Sequence, residues 1–137
     1  MWHDIAGIST AIVLAAVGAL HLAWSRTSWP ARTYPILSDY VYGGPAMPSK
    51  AACVTVGTGL LAAAYCALAI VGTAPEIGPH WLYRFGIWAL TAVMLARGLA
   101  GPLFSLRGTA QFRRWNLVAY SPLCVALGLG ALAAASA

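Results

Sequence analysis

Charge is scarce in this chain of 137 residues, and acidic charge is almost missing. Charged residues make up 8% of the sequence, with eight Lys and Arg against three Asp and Glu, whereas soluble domains carry about 25% charged residues. The carboxylates are Asp4, Asp39 and Glu76, and no two of them are expected to meet. General acid–base catalysis by a carboxylate pair is therefore disfavoured.

Cysteine and histidine are also few, and their spacing does not form a site. The cysteines Cys53, Cys66 and Cys124 form no CxxC pair, which argues against a dithiol oxidoreductase and favours buried thiols that act as small hydrophobic groups. One histidine, His21, is expected at the opposite end of the molecule from the other two. We therefore expect no metal site, and without a glycine-rich phosphate loop we expect no cofactor.

Hydrophobic residues dominate the chain, at 61%. They form four apolar stretches, at about 5–24, 51–73, 81–100 and 117–135, each near the ~20 residues that a helix needs to cross a bilayer core. A water-soluble bundle would need a polar face on every helix, and these stretches lack one. The sequence predicts an all-α, integral membrane four-helix bundle that forms a single transmembrane domain over residues 1–137.

The basic residues indicate an orientation. With four crossings, the connections 25–50 and 101–116 lie on one side, and they carry the six residues Arg26, Arg32, Lys50, Arg107, Arg113 and Arg114. The opposite side has Arg84, at the edge of the third helix. Because basic residues are retained on the cytoplasmic side, we expect both connections in the cytoplasm and both termini outside. The acidic Asp4 argues against a secretory signal peptide, so we expect the first helix to be retained.

Polar residues inside or beside the apolar stretches gather toward the expected cytoplasmic end. Such groups are costly in a membrane unless they are paired, so they tend to face the bundle interior or a wet cavity. We therefore predict a ligand site there, formed by His21, Trp24, Arg97, Arg114, Asn116, Tyr120, Ser121 and Cys124.

Two interpretations of this cluster remain open. Asn116 and Tyr120 are four residues apart and can face one crevice, while Pro122 leaves the carbonyl of Val118 without its helical donor and is expected to kink the helix. The cluster is then either a pocket with basic residues at its rim, or a kinked helix whose polar groups bond to neighbours and whose arginines touch anionic lipid. His21 is similarly either a proton acceptor or ligand contact, or a histidine bonded to a nearby carbonyl.

Three short motifs resemble a known family. They are Arg107-Gly108-Thr109 followed by Phe112-Arg113-Arg114, the run Tyr120-Ser121-Pro122-Leu123-Cys124 with Leu127-Gly128, and His21-Leu22-Ala23-Trp24. Together with Arg97 at the end of the third helix, they resemble a family of small four-helix bacterial membrane proteins, a domain of unknown function. Trp115-Asn116 departs from its pattern, which would place an acidic residue there in many members. The resemblance implies the fold and a bacterial inner membrane, and it implies no activity.

The leading functional prediction is a non-catalytic membrane module that binds a lipid, a small amphiphile or a partner protein at its cytoplasmic end. The alternative is a small membrane enzyme or an oligomeric transporter that acts through His21, Arg114, Tyr120 and Cys124. The expected partners are the bilayer with its anionic head groups, and a second copy of the chain or another membrane protein. Nucleic acid is not expected, because the basic residues flank apolar stretches instead of forming a solvated patch.

Overall fold

The computed structural model describes residues 1–136, and every regular element among them is helical. Six α-helices and one π-helical turn follow each other along the chain. They are α1 (Trp2–Trp24), α2 (Tyr34–Val41), α3 (Lys50–Ile70), α4 (His80–Ser105), α5 (Ala110–Trp115), the π turn (Asn116–Tyr120) and α6 (Ser121–Ala135). The predicted all-α fold is confirmed.

Four continuous helical segments are long and apolar enough to cross a membrane: α1, α3, α4 and the fourth span, Ala110–Ala135, formed by α5, the π turn and α6. Large hydrophobic side chains such as Ile12, Phe85, Val93, Leu99 and Val118 lie more than half exposed on their outer faces. Water would disfavour such a surface, whereas a bilayer stabilises it. The molecule is a multi-pass membrane protein.

The third connection is much shorter than the predicted 101–116. The helix α4 continues through Pro102 to Ser105, and α5 begins at Ala110. Proline is tolerated within membrane helices because neighbouring groups compensate for its missing N–H. The first connection stays the longest, and its prolines and glycines leave room for only the short helix α2.

The four spans pack as two tight antiparallel pairs that close into a bundle. The helix α1 packs most extensively on α3, and α4 on the fourth span, while α1–α6 and α3–α4 contacts join the pairs. The central core combines fully buried Leu14 and Ile87 with the small residues Ala67 and Ala131. Such small residues let helix backbones approach closely in a membrane, where packing drives association.

The first and third connections meet at one end, which we call the loop end. Thr109 Oγ1 donates to the carbonyl of Asp39 at 2.8 Å, and the Thr109 amide donates to the carbonyl of Gly43 at 3.2 Å. Phe112 of α5 packs so closely on Gly43 that a Cβ there would lie 2.6 Å from its ring. The first connection is thus held against the start of the fourth span.

A candidate anion site at the loop end

A partly buried arginine is the centre of the candidate site. Arg97 lies two turns before the end of α4, and its Nη2 donates to Oδ1 of Asn116 at 2.9 Å. The amide nitrogen of Asn116 donates in turn to the carbonyl of Gly101 at 2.7 Å. Asn116 is fully buried. The amide of Asn116 therefore connects the guanidinium to the α4 backbone and fixes how α4 meets the fourth span.

The π turn explains how Ser121 joins this group. Residues five apart point about 140° away from each other in an α-helix. The amide of Ser121 instead donates to the carbonyl of Asn116, and this i→i+5 bond stacks residues five apart on one side. Asn116 and Ser121 consequently both face α4, and Ser121 is 5% exposed. Helical π turns are frequent at functional sites.

Two polar atoms at this place have no hydrogen-bond partner within residues 1–136: Arg97 Nη1 and Ser121 Oγ, both buried. They lie beside the same point of α4, since a Cβ on Gly101 would collide with Ser121 Oγ and lie 2.7 Å from Arg97 Nη1. Buried polar groups are normally paired, so each exception needs a physical account. Here the two exceptions are a positively charged donor and a hydroxyl, side by side.

The charge of Arg97 also lacks a counter-charge in the described part of the chain. The two ion pairs within residues 1–136 join the N-terminal amine to Asp4, and His80 to Glu76, so neither includes Arg97. Arginine cannot give up its proton at ordinary pH, so the charge stays in place. An arrangement of N–H and O–H donors around an uncompensated positive charge suits an anionic oxygen.

An open apolar groove of about 430 Å³ runs beside this site on the outer face of the bundle. One wall comes from α4 and the other from the fourth span, and the lining includes Gly98, Pro102, Leu117, Ser121, Pro122 and Val125. Gly98 lets the walls meet, because a Cβ there would lie 2.6 Å from a methyl group of Val125. Ser121 belongs both to the groove and to the anion site.

His21 and Trp24 lie in a different environment, in the last turn of α1. His21 Nδ1 bonds to the carbonyl of Val17 at 2.9 Å, which is the second of its two predicted interpretations. Trp24 donates through Nε1 to the carbonyl of Trp29 at 2.9 Å and packs edge-on against Tyr42. Burial raises the pKa of the Tyr42 phenol to about 12. The contacts of Trp24 therefore hold the first connection against α1, whereas those of His21 stay within α1.

The remaining predicted residues surround the site at different distances. The hydroxyl of Tyr120 donates to the carbonyl of Tyr40 at 3.2 Å, so it braces the first connection. Arg114 is exposed on α5, at the rim. Cys124 is half-buried on α6, one turn after Ser121. The structure thus assembles Arg97, Asn116 and Ser121 directly, with Cys124 nearby.

The sequence prediction did not include Gly98, Gly101 or Pro102, which form the α4 side of the site. The two glycines let the fourth span approach α4 closely, and Gly101 supplies a backbone carbonyl to Asn116. A pattern of side chains does not reveal such backbone contributions. One signal was present, namely two glycines and a proline in the turn directly after an intramembrane arginine. Such a cluster of weak helix formers indicates backbone that another segment contacts.

Comparison with known proteins gives one finding. No curated protein and no solved structure matches the chain. The model of one family matches residues 14–131, which includes every residue of the site and both connections at the loop end. The chain therefore belongs to the family described as "Protein of unknown function (DUF3995)".

Proposed function

We propose that this protein is a non-catalytic membrane module that binds an amphiphile with an acidic head group at its loop end. The observation that carries the proposal is the partly buried Arg97 guanidinium with its buried, unpaired Nη1. Asn116 satisfies one of its terminal nitrogens, the other has no partner within residues 1–136, and the unpaired hydroxyl of Ser121 lies next to it. A phosphate or carboxylate oxygen would accept from both groups and supply the missing negative charge.

Energetics support a ligand over a purely structural role. A charged side chain is costly inside a membrane, up to about 2.5–3.5 kcal/mol at the centre of a span on insertion scales, and Arg97 lies within the span, two turns from the loop end of α4. Hydrogen bonds to neutral groups offset part of that cost, and a counter-charge offsets more because the surroundings have a low dielectric constant. The exposed Arg113 and Arg114 at the rim would attract acidic head groups toward the same end.

The proposed orientation places the loop end in the cytoplasm, and the proposed location is a bacterial inner membrane. The loop end carries six exposed basic residues, which supports placing it in the cytoplasm with both termini outside. The family resemblance supports a bacterial inner membrane. The catalytic alternative has less support, because the contacts of His21 and Tyr120 go to separate backbone carbonyls.

Thermal unfolding in neutral maltoside micelles tests the proposal. Phosphatidylglycerol, which is acidic, and phosphatidylcholine, which is not, are titrated into the wild type, Arg97→Gln and Arg84→Gln. Arg84 is the matched control, an exposed arginine on the same helix at the other end. A ligand at a hundredfold excess over its Kd stabilises the folded state by about 2.7 kcal/mol.

We expect phosphatidylglycerol to raise the Tm of the wild type and of Arg84→Gln, and to leave the Tm of Arg97→Gln unchanged. Phosphatidylcholine should raise none of them. An equal rise in all three proteins would show that surface charge alone is responsible and would overturn the proposal. The absence of any rise in the wild type would overturn it too.

A further inference from the structure

We infer that the ligand is an anionic phospholipid whose acyl chain lies in the groove between α4 and the fourth span, so that it enters sideways from the bilayer. This inference rests on the proposed function and adds the chemical class of the ligand and its path. It joins the donor pair Arg97 and Ser121 to the apolar groove beside them.

The shape of the groove fits a chain that lies along the membrane normal. Its lining on the fourth span runs from Leu117, near the loop end, to Leu129. The twelve steps from residue 117 to residue 129 correspond to about 18 Å along the helix axis, slightly more than half of a hydrocarbon core about 30 Å thick. The groove therefore extends over approximately one leaflet.

The chemistry of the groove changes along its length as it does along a lipid. From Ser121 toward the middle of the span the lining is hydrocarbon, supplied by Val125, Ala126 and Leu129, while Leu117 lies on the loop-end side of Ser121. The Ser121 hydroxyl and the Arg97 guanidinium both lie beside Gly101, and each has an atom without a hydrogen-bond partner within residues 1–136. An acidic head group held at the donor pair would therefore continue directly into an apolar channel that opens to the bilayer.

Lipids that surround any membrane protein also touch its outer face, so the test must separate one occupied groove from general contact. Phosphatidylglycerol and phosphatidylcholine that carry a photoreactive diazirine on the acyl chain are incorporated separately into phosphatidylcholine nanodiscs containing the protein. After irradiation, peptide mass spectrometry maps the adducts. The variants are Ala126→Phe, which fills the groove, and Ala62→Phe, the same change at an exposed alanine of α3 outside it.

We expect adducts of the phosphatidylglycerol probe to concentrate on residues 117–129. Ala126→Phe should reduce them about tenfold or more, since overpacking of a fitted site is costly, and Ala62→Phe should not. Adducts spread alike over all four spans with both probes would overturn the inference, as would an unchanged map in folded Ala126→Phe. The wild-type map is decisive by itself if Ala126→Phe does not fold.

Failure of the inference is distinguishable from failure of the proposed function. If phosphatidylglycerol still raises the Tm in an Arg97-dependent manner while its adducts avoid the groove, an acidic head group binds by another path and only the inference is wrong. If Arg97→Gln keeps both the Tm rise and the groove adducts, the guanidinium does not hold the head group. Both proposals are then wrong.

Discussion

At the scale of single residues, the central feature is how the permanent positive charge of Arg97 is stabilised. Arg97 is held by the neutral amide of Asn116, whose other end is fixed to Gly101. An amide stabilises a guanidinium through a dipole, whereas a carboxylate would also neutralise it. Asn116 therefore positions Arg97 and leaves its charge available to a ligand.

The substitution Asn116→Asp tests this division of roles. A carboxylate at this position would keep the contact with Arg97 and compensate its charge, while its repulsion from the Gly101 carbonyl would offset part of the gain. We expect the Tm in neutral micelles to stay near the wild-type value and the affinity for phosphatidylglycerol to fall about tenfold, as for the loss of one charge-assisted hydrogen bond.

Asn116→Leu is the matched variant for this prediction, because it removes the amide without adding charge. It should lower the Tm in neutral micelles, since it leaves Arg97 Nη2 and the Gly101 carbonyl without their partner. Undiminished phosphatidylglycerol affinity in folded Asn116→Asp would contradict the role assigned to Asn116.

Sequence reasoning found half of this site. Arg97, Asn116 and Ser121 stand out because each is polar and lies within or directly beside an apolar stretch, and a membrane makes such residues costly. Gly98 and Gly101 do not stand out, because their role is to let Val125 and Ser121 approach α4. That role depends on which helices pair, and several pairings are compatible with the same apolar pattern.

At the scale of elements, the fourth span shows how a proline can be accommodated without breaking a helix. In an α-helix the ring of Pro122 would collide with the carbonyl of Val118. The π turn at Asn116–Tyr120 comes immediately before and widens the helix there. It contains one residue more than an α-helical turn requires, and that additional residue brings Asn116 and Ser121 to one side.

The additional residue should therefore be removable once the proline is gone. In the background Pro122→Ala, deletion of Val118 would convert the π turn into an α turn in which Asn116 and Ser121 are four apart and still share a side. Val118 is 72% exposed, so little packing is lost. We expect this protein to keep the Tm of Pro122→Ala and its phosphatidylglycerol response.

Deletion of Leu123 in the same background is the control. Leu123 lies between Ser121 and Gly128, and the backbone of Gly128 lies against Leu95 of α4. Removing one residue there rotates the rest of α6 by about 100° relative to α4. We expect a large fall in Tm. Equal Tm values for the two deletions would show that the π turn has no special tolerance.

The ends of the helices show which boundaries the hydropathy pattern predicts closely and which it misses. The apolar stretches 5–24 and 51–73 come close to α1 and α3, because charges and prolines mark their limits. The stretch 81–100 stops short of Ser105, because the predicted third connection begins at Gly101 whereas α4 continues through Pro102. The predicted start at 117 misses α5, whose arginines and glutamine look like a loop although Thr109 caps the helix by accepting from the Phe112 amide.

At the scale of the whole molecule, the two ends differ in chemistry. The loop end collects the six exposed basic residues, the docked first connection and the candidate anion site. The other end carries the short second connection, where Glu76 pairs with His80 at 2.7 Å and Tyr83 bonds to Ile77. An acidic ligand would therefore meet a concentration of positive charge at the loop end, against the single Arg84 side chain at the other.

This asymmetry predicts an orientation that labelling can measure. Thr27→Cys places a thiol at the loop end, and Ile77→Cys places one on the second connection, at a residue 73% exposed. With a membrane-impermeant maleimide on spheroplasts, we expect Ile77→Cys to react before lysis and Thr27→Cys only after it, because the basic loops stay in the cytoplasm. The wild type, whose cysteines lie within the spans, gives the background, and the reverse order would contradict the orientation.

The central claim is that Arg97 holds the acidic head group of one amphiphile. Native mass spectrometry of the protein purified in mild neutral detergent tests it most directly, with the wild type beside Arg97→Gln and Arg84→Gln. We predict one bound acidic amphiphile per chain in the wild type and in Arg84→Gln, and none in Arg97→Gln of unchanged helicity. Bare protein in all three samples, or the same bound mass retained in Arg97→Gln, would contradict the account.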